Sequence, residues 1–268
     1  MGEPIKLLIL GDVQIPFIDH KTDEAVSKFV EDFKPDIMVF NGDILDAPGI
    51  SAYLGDPKWS GNLNGEFSQV QQYLETKARL AGEQCSIHFN EGNHEDRVRK
   101  YIWKNAPEFA TTLSLPELLG TASLGFSYTP YYNGVEEAGS PGISVFGLLI
   151  VHGWIARKWS GATAKATYEH FGGSGVVGHT HRLGAFYHTN YSGVRDGLRN
   201  RQTDVWIEAG CLCSLDPFYM PVPDWQAGFV AGYIFPDESQ PVSRFDIRQV
   251  PILGHKFVWE GKQYRADS

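Results

Sequence analysis

Residues 5–14 read IKLLILGDVQ, an apolar run that stops at Gly11-Asp12. A short run of Ile and Leu that is bounded by a turn signal is typical of a buried strand. The same pattern returns twice along the chain, as IMVFNGD at residues 37–43 and as SIHFNEGN at residues 86–93. We therefore predict three buried strands, each followed closely by a glycine and a polar side chain.

The segments between these runs have the apolar spacing of helices. Residues 21–33 place apolar side chains on one helical face, namely Ala25, Val26, Phe29, Val30 and Phe33. Pro35 ends this helix, because proline cannot continue the backbone hydrogen bonding. Residues 66–82 also have helical spacing, after a loop at 47–65 that is rich in Gly, Pro, Asn and Ser. Strands that alternate with helices predict βαβ units around a largely parallel sheet, and so an α/β fold.

Apolar runs rich in β-branched and aromatic residues dominate the second half of the chain. They lie at residues 143–151, 176–177, 205–209, 228–235 and 242–248. Helical spacing is mixed at 98–120 and clear at 161–171. Because the sequence contains neither an internal repeat nor a clear linker, we expect a single domain over residues 1–268. Within it, residues 47–85 are predicted to be an insertion or rim segment. The β-rich part at residues 186–268 is predicted to complete a second sheet.

The balance of charge limits the partners that the protein can bind. The chain has 23 Lys and Arg residues against 32 Asp and Glu residues, a net charge of −9. This argues against a broad basic surface for duplex nucleic acid or for an anionic membrane, while leaving room for a small positive site. No apolar stretch approaches the roughly 20 residues that span a bilayer, and the N-terminus lacks the regions of a signal peptide.

The cysteines indicate a reducing compartment. Three of them are too few for a disulfide framework. Cys211-x-Cys213 lacks the second pair that a structural zinc site requires, so we interpret these cysteines as small buried residues. We therefore expect a soluble protein of the cytoplasm.

Polar residues of the kind that bind metals follow five of the predicted strands. After the first three come Val151-His152-Gly153 and Gly178-His179-Thr180-His181. Loops that follow parallel strands converge at one edge of the sheet, and glycine lets the backbone turn there without a side chain in the way. We therefore expect these side chains to meet in one place.

The side chains expected to meet there are two carboxylates, one amide and three imidazoles, from Asp12, Asp43, Asn93, His152, His179 and His181. This mixed set of nitrogen and oxygen donors suits Mn²⁺, Fe or Zn²⁺. It exceeds what one tetrahedral ion needs, but two ions bridged by a carboxylate would use all of it. Any one of these motifs alone is an ordinary turn, whereas all of them at strand ends favour a dinuclear metal site.

The order of these motifs resembles that of the calcineurin-like metallophosphoesterases. The resemblance covers about residues 5–185 and rests on Gly11-Asp12-x-Gln14, Gly42-Asp43-x-x-Asp46, Gly92-Asn93-His94-Glu95, His152-Gly153 and Gly178-His179-Thr180-His181. The NHEDR and GHTHR segments at residues 93–97 and 178–182, with Trp225-Gln226-x-Gly228-Phe229, resemble the phage and prophage branch. The resemblance implies a four-layer αββα sandwich, in which helices flank two mixed β-sheets and a dinuclear metal site lies at the C-terminal ends of the strands.

The resemblance also implies a role for each motif residue. Asp12 and His181 would hold the first metal, Asp43 would bridge both, and the second metal would be held by Asn93, His152 and His179. His94 matches the catalytic histidine beside the leaving group, and Asp46 matches the carboxylate that orients it. These two roles agree with general acid chemistry, in which an imidazole needs a partner that fixes its tautomer.

Gln14 departs from the family pattern, because most members have a histidine at this position on the first metal. An amide oxygen is a weaker ligand than an imidazole for transition ions. We therefore expect a looser first site and two divalent ions, of which Mn²⁺ is preferred and Zn²⁺, Fe or Ni²⁺ are alternatives. Ala47 stands where protein serine/threonine phosphatases have an arginine, which disfavours that class.

The predicted activity is hydrolysis of phosphoester bonds by in-line attack of a metal-bridging hydroxide. We expect phosphodiesters of nucleotides or nucleic acids as substrates, with Arg97 and Arg182 as candidate substrate contacts. The protein is expected to act in the cytoplasm of a bacterium or of a phage-infected host. Three alternatives stay open: a nuclease that acts on DNA or RNA ends, a phosphomonoesterase, and a catalytically impaired phosphate-binding protein. A G-x-G-x-x-G match at residues 173–178 follows a helical pattern instead of a strand, which disfavours dinucleotide binding.

Overall fold

The computed structural model describes residues 3–52, 62–131, 141–195, 198–217, 220–236 and 244–267. The strands, in chain order, are β1 (Ile5–Leu10), β2 (Ile37–Asn41), β3 (Ser86–Asn90), β4 (Ser127–Thr129), β5 (Ile143–Val145), β6 (Leu148–Val151), β7 (Ser174–Val177), β8 (Leu183–Arg195), β9 (Leu198–Ala209), β10 (Gly228–Phe235), β11 (Arg244–Pro251), β12 (Lys256–Trp259) and β13 (Lys262–Arg265). The helices are α1 (His20–Phe33), α2 (Leu63–Ala81), α3 (Asn93–Asn105), α4 (Leu115–Leu118) and α5 (Ala162–Phe171).

The three apolar runs of the first half form neighbouring parallel strands, as predicted. β1 pairs with β2, and β2 pairs with β3, in parallel. β4 extends this sheet on one side, while β10 and β11 extend it on the other, in the order β11-β10-β1-β2-β3-β4. Because the parallel strands run the same way, their C-terminal loops lie along one edge of the sheet.

A second sheet has the strand order β5-β6-β7-β9-β8. β6, β7 and β9 are parallel, whereas β5 and β8 are antiparallel to their neighbours. The C-terminal ends of β6 and β7, where two of the predicted motifs lie, are therefore also at one edge.

The sheets stack between two helical layers. In β1, Leu8 and Leu10 pack on one face against α1 and α2, whereas Leu7 and Ile9 pack on the other face against the second sheet, as the two-residue period of a strand requires. Val177 and Trp206 of the second sheet pack against α5 on its far side. The predicted αββα sandwich is confirmed.

The C-terminal part of the chain divides among the two large sheets and a separate hairpin of β12 and β13, which corrects our expectation for residues 186–268. β8 and β9 belong to the second sheet, but β10 pairs antiparallel with β1 in the first sheet, with Leu7 opposite Gly232. β10 is buried along most of its length, so it needs a place that is covered on both faces. The position beside β1 provides that cover, since one face meets the outer helices and the other meets the second sheet.

The segment at 47–85 is part of the core as well as of the rim. Its helix α2 connects β2 to β3, and Phe67, Val70 and Leu74 pack into the same apolar cluster as α1. Part of the predicted rim loop, residues 53–61, lies outside the described residues. None of the helices in the described part of the chain combines the length and the hydropathy that a membrane crossing requires.

Candidate metal centre

The candidate ligands lie in loops at the C-terminal ends of β1, β2, β3, β6 and β7. Backbone hydrogen bonds join these loops, since Asp12 N donates to Gly42 O and Gln14 N donates to Asp43 O. A positive φ is shared by five of the seven predicted metal ligands, namely Asp12, Gln14, Asp43, His179 and His181. Such a φ is uncommon and costly outside glycine. Five residues with this strained backbone in one cluster indicate a geometry that the rest of the fold maintains at an energetic cost.

Two glycines allow the loops after β2 and β3 to touch. A Cβ on Gly92 would lie 2.2 Å from Asp43 Oδ1, and a Cβ on Gly42 would lie 2.7 Å from the Cα of Gly92. Gly42 also has a φ of +78°, which side chains other than glycine rarely adopt. The glycines of these motifs are therefore required for the approach of the two loops.

One half of the cluster is formed by Asp43, Asn93, His152 and His179. Asn93 Oδ1 lies 2.7 Å from His179 Nδ1 and 3.1 Å from His152 Nε2. His152 Nε2 lies 3.3 Å from Asp43 Oδ2. These donor atoms converge as the ligands of one cation would, and they are the four that we predicted for the second metal and its bridge.

The other half of the cluster is formed by Asp12, Gln14 and His181. His181 Nε2 lies 3.2 Å from Asp12 Oδ1 and 3.0 Å from Gln14 Nε2. Asp12 Oδ1 is buried and has no aligned hydrogen bond among the described residues, so its charge is balanced by His181, or by a bound cation when His181 is neutral. A half-turn about the last side-chain bond of Gln14 would exchange its amide nitrogen and oxygen, so that the oxygen would face His181 Nε2. The donor set of the whole cluster therefore fits two divalent cations.

Electrostatic interactions differ among the three histidines. Burial lowers the pKa of His152 and of His181, but Asp43 and Asp12 reverse this, raising the pKa of His152 to about 9 and that of His181 to about 10. Burial and the neighbouring His152 lower the pKa of His179 to about 4. Burial also opposes the ionisation of Asp43, but the adjacent imidazoles outweigh it and hold the pKa of that carboxyl well below its usual range.

Cation binding is therefore expected to release protons and to strengthen as the pH rises. A histidine ligand must be neutral, yet without metal His152 and His181 are protonated below about pH 9. Between pH 6 and pH 8 the apparent affinity for Mn²⁺ should rise about tenfold per pH unit for each proton released. Calorimetry in two buffers of different ionisation enthalpy measures this release, and an affinity independent of pH would contradict the prediction.

His94 and Asp46 form a pair at the edge of the cluster. His94 Nδ1 lies 3.3 Å from Asp46 Oδ2, at ion-pair distance but without hydrogen-bond alignment. His94 Nε2 points the other way and lies 3.8 Å from Asp43 Oδ2. Burial lowers the pKa of His94, but Asp43 and Asp46 outweigh it and raise that pKa above its ordinary value. The structure thus brings His94 and Asp46 together, and their roles as catalytic histidine and orienting carboxylate remain a prediction.

The two arginines predicted to bind substrate make contacts with the protein. Arg97 Nη1 donates to Asp46 O over 2.7 Å and lies 3.3 Å from Asp46 Oδ1. Arg182 donates through Nε to Asp224 and through Nη1 to Arg157 O. Arg97 therefore holds Asp46 in place, and Arg182 connects the segments that contain Asp224 and Arg157. Substrate binding by either arginine remains a prediction.

Glu95 has a structural role that the sequence did not reveal. Its Oε1 accepts hydrogen bonds from Ile44 N and Leu45 N, and its Oε2 accepts from Asp43 N and Gly92 N, over 2.7–2.9 Å. The bond from Gly92 N is the glutamate half of a capping box, since Gly92 at the N-cap has no side chain to make the other half. The other three bonds come from the loop after β2 and have no local signal in the sequence.

Cys213 is a second residue whose place the sequence did not reveal. Cys211 and Cys213 are buried, as expected, but they lie beside a candidate ligand, within 4.8 Å of His181 and of each other. Cys213 Sγ is 3.8 Å from His181 Nδ1, on the side of the ring opposite Nε2. A partner at Nδ1 fixes the orientation of the imidazole that Nε2 presents to a metal.

The class of protein follows from the family comparison. The profile of the calcineurin-like phosphoesterase family matches residues 5–207, and the chain belongs to this family. It is therefore a metal-dependent phosphoesterase, a hydrolase, and the resemblance drawn from the motifs is confirmed.

Two proteins that resemble this chain in sequence come from mycobacteriophages. The Gene 54 protein of Mycobacterium phage D29 is 30% identical over 279 residues, covering 95% of this chain and 98% of that protein. The Gene 54 protein of Mycobacterium phage L5 is 28% identical over 282 residues, covering 97% and 99% respectively. Among solved structures, wild-type Vps29 complexed with Zn²⁺ from Entamoeba histolytica covers 98% of this chain and 99% of its own, at 14% identity and a TM-score of 0.42.

The replacement Gln14→His is expected to tighten retention of the more weakly held cation. The side chain already reaches His181 Nε2, and an imidazole is a stronger ligand than an amide oxygen for transition ions. We expect about a tenfold lower Kd for that ion, measured as metal retained after dialysis against a chelator. Gln71→His, on the exposed face of α2, is the matched control. Unchanged retention would place Gln14 outside the coordination sphere.

Proposed function

We propose that this phosphoesterase hydrolyses phosphodiesters of nucleotides or nucleic acids, in the cytoplasm of a bacterium or of a phage-infected host. The observation that carries the proposal is the convergence of seven donor side chains beside the His94–Asp46 pair. Asp12, Gln14 and His181 would hold one cation, with Asn93, His152 and His179 holding the other and Asp43 between them. When bound, two divalent cations supply a nucleophilic water at neutral pH and neutralise charge on phosphoryl oxygens. Mn²⁺ is our first choice, and Zn²⁺, Fe and Ni²⁺ are the alternatives.

The protein's own residues would act mainly on the leaving group. His94 Nε2 points into the cluster and would donate a proton to the departing oxygen. Asp46 orients the ring through Nδ1, and Arg97 holds Asp46 in turn. The amide of His94 donates to Asp43 Oδ1, so the N-terminus of α3 faces the cluster. A helix N-terminus favours bound anions, which supports a phosphate ester as the substrate.

The contacts of the two arginines favour diesters over monoesters. A monoester has a dianionic phosphoryl group, whereas the phosphoryl group of a diester is a monoanion. Arg97 and Arg182 stand nearest the motifs, and both donate to protein acceptors. These two arginines are therefore engaged by the protein and add less to binding of the second negative charge of a monoester, which supports a diester substrate.

Hydrolysis of bis-p-nitrophenyl phosphate and of p-nitrophenyl phosphate by the metal-reconstituted protein tests the proposal. We expect a higher kcat/KM for the diester, and lower turnover by Asn93→Ala and His94→Ala variants. Equal turnover by the wild type and both variants would refute catalysis at this cluster. Faster hydrolysis of the monoester would favour the phosphomonoesterase alternative.

A further inference from the structure

A loop of two tryptophans and two basic residues follows directly on His152-Gly153. It comprises residues 154–159, with the sequence WIARKW, between β6 and α5. We call it the WIARKW loop. Two hydrogen bonds connect it to the surroundings of the candidate metal centre. Arg182, the neighbour of His181, donates to Arg157 O over 2.6 Å, and Tyr131 Oη, whose ring packs edge-on against His152, donates to O of Gly153, the residue before the loop. The loop is therefore held at the rim of the site.

The tryptophans of this loop are presented differently. Trp154 packs edge-on against His170 and Phe171 of α5, with ring centroids 5.6 Å and 5.9 Å apart. Trp159 is 66% exposed, and Lys158 Nζ lies 4.8 Å from the centroid of its ring. A single exposed hydrophobic residue is common on protein surfaces, so what distinguishes Trp159 is its place in one loop with two basic residues, directly after a motif of the candidate metal centre.

The charge of this region is opposite to that of the chain as a whole. From residue 141 to residue 182 the sequence contains four basic residues and a single acidic one, Glu169. Glu169 pairs with Lys165 on α5. In the part of the chain that the structure describes, Arg157 and Lys158 have no carboxylate partner. A protein with a net charge of −9 thus presents, in one loop, an exposed indole and two cations that have no carboxylate partner among the described residues.

We propose that the WIARKW loop binds single-stranded nucleic acid, with Trp159 stacking on a base and with Arg157 and Lys158 contacting the phosphates next to the scissile one. This inference rests on the proposed function and specifies its substrate class. An exposed aromatic ring beside a few cations is the usual combination in proteins that bind single strands, because every base has a face on which to stack. In a duplex those faces are already stacked, and the overall negative charge of the protein opposes a long phosphate track.

The test measures binding separately from hydrolysis. The metal-loaded full-length protein is titrated into a labelled phosphorothioate oligothymidylate that resists cleavage, and Kd is read from fluorescence anisotropy. Trp159→Ala should weaken binding about tenfold, which is the lower part of the range for loss of one stacked base. Trp159→Phe should restore most of the affinity, since a smaller aromatic ring still stacks.

The contribution of the two basic residues can be measured separately, from the dependence of Kd on salt concentration. Arg157→Gln and Lys158→Gln should each lower the slope of log Kd against log salt concentration by about 0.7, the value for one phosphate contact on a single strand. Tyr187→Ala removes a comparably exposed aromatic residue that lies on β8 and outside the loop, and should leave the Kd unchanged. Duplex DNA of the same length should bind more weakly than the single strand.

The outcomes separate this inference from the proposed function. Hydrolysis of bis-p-nitrophenyl phosphate together with an oligonucleotide Kd that Trp159→Ala does not change would overturn the inference and leave the function standing. The same loss of affinity in Tyr187→Ala as in Trp159→Ala would also overturn it. Binding that depends on Trp159, in a protein without phosphodiesterase activity, would support the loop as a binding site and refute the function.

Discussion

Replacement of His94 by alanine is expected to lower kcat by about 10²- to 10⁴-fold on a dinucleotide phosphodiester, the range of a general acid. The sugar hydroxyl that leaves such a substrate needs a proton, and His94 Nε2 is the group that faces the cluster. Nitrophenolate leaves without a proton. The same replacement should therefore have a clearly smaller effect on bis-p-nitrophenyl phosphate.

The comparison of the two leaving groups distinguishes proton donation from damage to the metal centre. Metal content per chain should stay the same in His94→Ala, because His94 is not among the predicted ligands. Asp46→Asn should produce a smaller loss of kcat with the same dependence on leaving group, since Asp46 acts through the orientation of His94. An equal loss on both substrates would remove His94 from the role of general acid.

Replacement of Glu95 by glutamine is expected to lower the free energy of unfolding by about 3 kcal/mol or more. The carboxylate accepts four backbone N–H groups, two at each oxygen. Glutamine keeps one oxygen, but its NH₂ group would face the other two donors, and each hydrogen bond to a charged acceptor is worth about 1.5–3 kcal/mol. Burial and Asp43 raise the pKa of Glu95 to about 7, so chemical denaturation of the metal-free protein above that pH, where Glu95 is a carboxylate, measures the loss directly.

The matched control is Glu108→Gln, a change at an exposed carboxylate. It should alter the free energy of unfolding by less than about 0.5 kcal/mol, as is usual for surface substitutions. If Glu95→Gln were as stable as this control, Glu95 would have no part in holding together the loops after β2 and β3.

The sequence was sufficient to predict the parallel strands and the edge at which their C-terminal loops meet, because that edge depends only on the direction in which the strands run. Apolar runs that stop at Gly11-Asp12, Gly42-Asp43 and Gly92-Asn93 indicate parallel strands, and parallel strands bring their C-terminal loops together whatever the details of packing. The sheet to which a later strand belongs depends instead on tertiary packing. β10 has the same apolar character that a strand of either sheet would have, so its place beside β1 could not be deduced.

The same distinction applies within the site. The candidate ligands could be predicted because their order along the chain carries the information. The acceptors of Arg97 and Arg182 could not, because Asp46, Asp224 and Arg157 reach them only in the folded chain. The approach of Cys213 to His181 is likewise a product of tertiary structure, since a Cys-x-Cys pair without a second pair has no particular meaning in a sequence.

The loop after β7 supplies a residue to each half of the cluster, His179 to one and His181 to the other. Neither half is complete in a growing polypeptide until synthesis has passed residue 181, by which point the first strands have long since emerged. If the cluster holds cations as proposed, their capture would be a late event in the maturation of this protein. Before that event, the protonated imidazoles of His152 and His181 would supply the positive charge beside Asp43 and Asp12.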